Sequence, residues 1–240
     1  MTIIDSSPRP TGPWPLPHLP AAGWSTAQGR RSVAADAAAV HCAGPRFGAA
    51  IGDGIGESPD AARAAAIAVE AAAEVAIRSG AWDAVHAAAA ALRHARETTG
   101  LVGDCVLAVA AGGSSGWSVA WAGDCRAYAV VDGRAWQLSS DHTVAAYLRA
   151  HGVAPAALLD HVVTSTAGQP TEIGWVRGPQ RCDAIVLVTD GVYSVLDEQA
   201  IAAIVGRADE PVVAARELTS AALAAGSGDN VGAVVISHPF

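Results

Sequence analysis

Between residues 58 and 97 the chain leaves the backbone few options besides helix. Ser58-Pro59-Asp60 sets a capping hydroxyl, a proline for the first helical position and an early acid ahead of an alanine-rich run. Gly80 stops that run after about Ser79, and a second helix is predicted over 83–97. The segments on either side read as strands: 24–29, 36–42 and 46–51 before the helix pair, then 102–110, 117–122, 126–131 and 134–138 after it. Asp132-Gly133 between the last two is a hairpin turn. A helix over 143–150, a buried strand over 184–188, helices over 197–205 and 212–224 and a closing strand over 231–237 complete the order. Strands arrive in consecutive runs rather than alternating with helices. That predicts an α+β fold of antiparallel sheets with helices packed outside, not a doubly wound parallel sheet.

Composition limits the partners. Hydrophobic residues make up 51% of 240 and charged residues 16%, enough apolar surface for a sizeable core. Aromatics contribute only 5%, so that core is built from Ala, Val, Leu and Ile. All 15 basic residues are arginine, against 23 acids, and the net charge of −8 argues against nucleic acid as the main partner. The most apolar stretch, 61–77, is interrupted by Arg63, Glu70 and Glu74, which argues against a membrane span. Cys42, Cys105, Cys125 and Cys182 form no C-x-x-C pair, which disfavours a disulfide scaffold or a zinc ribbon. With no secretion signal at the start, a soluble cytoplasmic protein is expected. Residues 1–23 carry six prolines and read as an extended arm, leaving one domain over 24–240.

Chemistry is concentrated in aspartates at strand ends: Asp53-Gly54, Asp124, Asp190-Gly191 and Asp229-Asn230, with Asp36 on a further strand-like stretch. A single Asp-Gly is ordinarily a turn. Several converging carboxylates would repel one another unless hard cations sit between them, and all-oxygen coordination suits Mg²⁺ or Mn²⁺ rather than zinc.

The succession Arg31-x-x-Ala34-x-Asp36, Asp53-Gly54-x-Gly56, Gly123-Asp124-Cys125-Arg126, Asp141-His142, Asp190-Gly191 and Asp229-Asn230 resembles the metal-dependent Ser/Thr protein phosphatases of bacterial type (type 2C, PPM), over about residues 24–237. The resemblance implies an α-β-β-α sandwich of two antiparallel sheets flanked by helix pairs. It implies hydrolysis of phosphoserine and phosphothreonine in proteins by a metal-activated water, with two or three Mn²⁺ or Mg²⁺ ions. Asp53 would bridge two ions and the Gly54 carbonyl would bind one of them. Asp190 and Asp229 would ligate the other, Asp36 would act through water, and Asp124 would serve a third ion. Arg31 would grip the phosphate, giving Arg31, Asp36 and Asp53 as the catalytic set. A monomer acting on phosphoproteins, opposite a Ser/Thr kinase or its targets, is the expectation.

Four positions depart from that pattern: Ala34 for asparagine, Glu57 for the last glycine of D-G-x-G-G, Asp104 within the usual G-T-T, and Cys125 for serine. They keep open a phosphatase of a small phosphorylated metabolite or a catalytically silent regulatory module, and Glu57 and Asp104 are expected to alter metal affinity or substrate choice. Among weaker signals, Gly112-x-Ser114-x-Gly116 matches a nucleophile elbow but sits between two strands, so a hairpin is predicted. Gly52-x-Gly54-x-Gly56 lacks the β-α-β context of a dinucleotide loop. Asp141 is predicted to cap the helix after it, with no direct catalytic role expected for His142; His161 is expected to be a surface or packing residue and Arg126 to anchor its turn. Residues 155–171 correspond to the family's mobile flap.

Overall fold

Among the described residues every strand pairing is antiparallel. The structure is a computed structural model and describes residues 19–114, 116–178 and 182–237. β1 (Ala21–Ala27) leads to the hairpin of β2 (Asp36–Ala43) and β3 (Arg46–Gly54), followed by α1 (Pro59–Ser79) and α2 (Ala81–Thr99). Two hairpins follow: β4 (Cys105–Gly113) with β5 (Gly116–Ala122), and β6 (Arg126–Val131) with β7 (Arg134–Gln137). After α3 (Val144–Ala150) and a 3-10 turn (Ala157–His161) come β8 (Gly174–Arg177) and β9 (Ala184–Val188). The chain continues with α4 (Asp190–Tyr193), α5 (Glu198–Arg207), α6 (Pro211–Ala224) and β10 (Val231–Ser237).

One sheet runs β2-β3-β4-β5-β8 and the other β1-β10-β9-β6-β7. Their inner faces bury Phe47, Ile51, Trp117 and Val119 against Ile185, Leu187, Val234 and Ile236. α1 and α2 cover the outer face of the first sheet, while α5 and α6 cover the second through Ile201, Ile204 and Leu218. This is the predicted α-β-β-α sandwich.

Small residues set how closely α1 approaches its sheet. Strand alternation turns Phe47, Ala49 and Ile51 of β3 to the inter-sheet core and Gly48, Ala50, Gly52 and Gly54 to the helix. A Cβ on Gly48 would lie 2.4 Å from the Ala73 carbonyl oxygen, and one on Gly54 would lie 2.6 Å from that of Ala61. Alanines at 61, 64, 65, 68, 72, 73 and 76 form the facing stripe. Ser58 caps α1 by accepting a hydrogen bond from the Ala61 amide at 3.1 Å, as its position in the sequence suggests.

Several boundaries moved. The fourth strand begins at Cys105, not 102, because Val102 is exposed and Asp104 turns to a loop. β8 escaped the sequence reading: four residues at a sheet edge, paired with β5 alone, carry too little alternation to register. Gly112 and Gly113 of β4 pair with Trp117 and Gly116 of β5, so this motif lies in a β-hairpin rather than a strand-to-helix nucleophile elbow. The proline-rich arm, up to residue 18, lies outside the described residues. No helix among the described residues is long and apolar enough to cross a membrane.

Candidate active site

Strand parity delivers the first two carboxylates. Asp53 continues the side of β3 that carries Phe47, Ala49 and Ile51, so it emerges at the end of the inter-sheet core. Asp36 is its cross-strand partner in the antiparallel register. The second sheet supplies two more. β9 ends at Val188, and the buried Thr189 hydroxyl donates to Asp36 Oδ2 (2.8 Å) while accepting from the Gly232 amide (2.9 Å). Asp190 follows and opens α4, and Asp229 lies just before β10. Asn230 Nδ2 donates to the Val33 carbonyl at 2.8 Å, tying this loop to the approach to β2. A Cβ on Gly191 would come within 1.9 Å of the Asn230 carbonyl oxygen, so glycine lets the two acidic loops press together. Asp124 enters from the turn between β5 and β6.

Arg31, Asp53, Gly54, Asp124, Asp190 and Asp229 line one cleft of about 260 Å³, and Asp36, half-buried with its Oδ1 fully covered, stands across the strand ladder from Asp53. Burial pushes the Asp36 carboxyl up to about 7, helped by repulsion from Asp190 and Asp229. Burial, then the charges of Asp36, Asp190 and Asp124, holds Asp53 well above the usual carboxylate range. Asp124 is likewise pushed up to about 7 by burial and then by Asp190. Burial and Asp229 raise Asp190. Asp36 Oδ1 and Asp190 Oδ1 are buried without a hydrogen-bond partner. Uncompensated buried carboxylate oxygens are costly, and a hard cation is the partner that answers both the repulsion and the missing contacts. Among the described residues no three His, Cys, Asp or Glu side chains form a ready-made set around one ion. Carboxylate pairs, the Gly54 carbonyl and water would have to share the coordination. Mg²⁺, which keeps several of its waters, fits such a site.

At the mouth, Arg31 Nη2 donates to Asp229 Oδ2 (2.7 Å) and Nη1 to Glu57 Oε1 (3.3 Å). These contacts, Asp229 first, raise the guanidinium above its ordinary value. It remains half-exposed, a charged fork facing the opening.

No protein-family model matches the chain, and no curated protein does. Solved structures do match it. The PPM Ser-Thr phosphatase MsPP from Mycobacterium smegmatis, in complex with cacodylate, is 27% identical with a TM-score of 0.73, covering 90% of this chain and 97% of that one. The serine/threonine phosphatase of S. agalactiae reaches a TM-score of 0.79 at 18% identity, over 91% and 99%. PstP/Ppp from Mycobacterium tuberculosis gives 0.77 at 20%, over 91% and 98%. A catalytic-domain structure of PstP in complex with 2 manganese ions gives 0.71 at 20%, over 91% and 98%. The fold is that of the PPM serine/threonine phosphatases.

Within this PPM fold the departures from the motif pattern have separate consequences. Glu57 lines the cleft and reaches Arg31, and Ser32 Oγ donates to its other oxygen at 3.3 Å. Asp104 does not line the cleft, contrary to the expectation that it tunes metal or substrate. It accepts from Thr166 Oγ1 (2.8 Å) and the Gly168 amide (2.9 Å) and pairs with Arg96 (3.1 Å). The segment expected as a flap is thereby fastened at 166–168, and again where Thr143 bridges Val163 and the Thr164 amide donates to the His142 carbonyl. Cys125 is buried in the inter-sheet core, and burial pushes its thiol well above the usual range, as for a packing residue.

Asp141 does not cap α3; Thr143 does, accepting from the Ala146 amide at 3.1 Å. Asp141 instead grips Arg126 through two bonds of 2.9 and 2.7 Å, and that guanidinium lies 3.8 Å over the Tyr193 ring. Arg126 is the anchor of its turn. His142 is buried and stacked on Trp121, with Nδ1 accepting from the Gly123 amide at 3.3 Å, so it props the Asp124 turn. His161 and Val163 line the cleft and were missed, His161 lying near enough to Asp190 to offset part of its upward shift. A histidine in an aperiodic loop carries no sequence signal of that kind.

Proposed function

We propose that this chain is a metal-dependent phosphoprotein phosphatase that hydrolyses phosphoserine and phosphothreonine esters with Mg²⁺ or Mn²⁺. The observation that carries the reading is the carboxylate cluster with two orphaned buried oxygens, set behind an arginine at the cleft mouth. The manganese-bearing PstP structure, which shares the fold, supports the choice of metal. Asp53, Asp190, Asp229 and the Gly54 carbonyl would hold two ions, with Asp36 behind them and Asp124 available to a third. Bound there, the ions would supply Lewis acidity to the phosphoryl oxygens and acidify a water.

The chain's own groups do the rest. Arg31 binds phosphoryl oxygens through its planar fork, exchanging carboxylate partners for the substrate. Thr189 and the β2–β3 ladder hold Asp36 and Asp53 in place before substrate arrives, so no reorganisation is needed during reaction. A cytoplasmic site of action, opposite a Ser/Thr kinase, completes the reading.

The test is hydrolysis of p-nitrophenyl phosphate and a phosphothreonine peptide with EDTA, Mg²⁺ or Mn²⁺, alongside Asp53→Ala and Asp190→Ala. Metal-dependent turnover lost in both variants is the expected result. A folded wild-type protein inactive on both substrates under every metal condition would overturn the reading.

A further inference from the structure

Glu57 stands where the type 2C pattern has glycine, and it places a carboxylate beside the group that would bind phosphate. Arg31 divides its guanidinium between two acids, and the contacts are unequal: 2.7 Å to Asp229 and 3.3 Å to Glu57. The longer, more exposed contact is the one a phosphate displaces more readily. Once Arg31 turns to phosphate, Glu57 keeps only the Ser32 hydroxyl, since its one ion pair among the described residues is with Arg31. The remaining ionisable side chains lining the cleft are aspartates and His161. A carboxylate is then left unneutralised at the opening, facing whatever flanks the phosphorylated residue.

We propose that Glu57 makes the cleft selective for phosphorylated residues flanked by a basic side chain. The substrate's Arg or Lys takes the place at Glu57 that Arg31 gives up to the phosphate. A substrate flanked by acids meets repulsion there and from the −8 net charge of the whole chain. Glu57 is a specificity-determining residue, and its role rests on the phosphatase reading above.

The experiment compares two phosphothreonine peptides that differ only in arginines or glutamates flanking the phosphorylated residue. They are assayed with wild type, Glu57→Gln and Glu57→Asp in Mg²⁺ or Mn²⁺, with p-nitrophenyl phosphate as a substrate without flanks. Wild type should show a KM about fivefold lower for the arginine peptide, with similar kcat, as expected for a partly exposed charge contact. Glu57→Gln should bring the two KM values to within about twofold, Glu57→Asp should restore most of the difference, and about 1 M salt should compress it in wild type. An equal KM ratio in wild type and Glu57→Gln, or no preference in wild type, would overturn the selectivity while leaving the phosphatase standing. Failure to hydrolyse any of the three substrates would overturn both.

Discussion

Arg31 and Thr189 show how single side chains divide the work at this site. Arg31 is half-exposed and held by two carboxylates, so it stays charged and presented without being buried. Removing it should cost the contacts to phosphate and leave the acidic cleft repelling the substrate. Arg31→Ala is expected to lower kcat/KM for p-nitrophenyl phosphate about tenfold to a hundredfold, the range of a lost charge-assisted hydrogen bond. Arg31→Lys should recover only part, because an ammonium cannot grip two oxygens in a fixed plane. A kcat/KM unchanged in Arg31→Ala would remove this residue from substrate binding. Thr189 is fully buried and bridges the sheets, donating to Asp36 and accepting from Gly232. Thr189→Val keeps the shape and strands both partners, so urea unfolding should report a loss of about 1–3 kcal/mol. Unfolding coincident with wild type would show that the bridge adds nothing.

Among the elements, the α1–α2 pair was the most legible in the sequence and the 155–178 segment the least. The pair carries its instructions locally: Ser58 and Pro59 start it, Gly80 divides it, and a stripe of alanines faces the glycines of β3. Leu92 is one of the few large side chains in that layer and is fully buried. Leu92→Ala should therefore cost about 2–5 kcal/mol in equilibrium unfolding, because alanine neighbours cannot collapse into the space. The 155–178 segment is held by partners distant in the chain. Asp104 gathers the Thr166 hydroxyl and the Gly168 amide, from one loop more than sixty residues away, and Arg96 from α2. Asp104→Ala should destabilise the fold by about 1–3 kcal/mol and speed amide exchange in the 164–170 stretch selectively. Exchange there equal to wild type would mean the segment is held by other contacts. No periodicity announces such a clamp, which is why Asp104 read as a functional departure and β8 was not read at all.

At the scale of the whole molecule, the two sheets close on each other only by bringing acids together at one end. In the metal-free protein Asp36 and Asp124 are held near 7, against an ordinary value of 3.8. A carboxyl raised on folding favours the folded state at low pH. That contribution is full below about 4 and is lost as pH rises through about 7, by at most about 1.4 kcal/mol per pH unit for each group. With EDTA, Tm should therefore fall between pH 5 and pH 8. Saturating Mg²⁺ or Mn²⁺ binds the ionised folded form, adding about 2.7 kcal/mol at a hundredfold excess over Kd, and should flatten or reverse the slope. Identical slopes with EDTA and with metal would mean that the carboxylates are not the cation's partners. The sequence by itself determined the α+β class, most of the elements and their order, and the start of α1 at Ser58-Pro59 and its stop at Gly80, because capping, turns and alternation act over a few residues. Only the tertiary structure decided that Thr189 meets Asp36 across 153 residues, that Arg31 meets Asp229 across 198, and that His161 joins the cleft. Those contacts join separate sheets and loops, so they exist only after the inner faces of both sheets have been buried together.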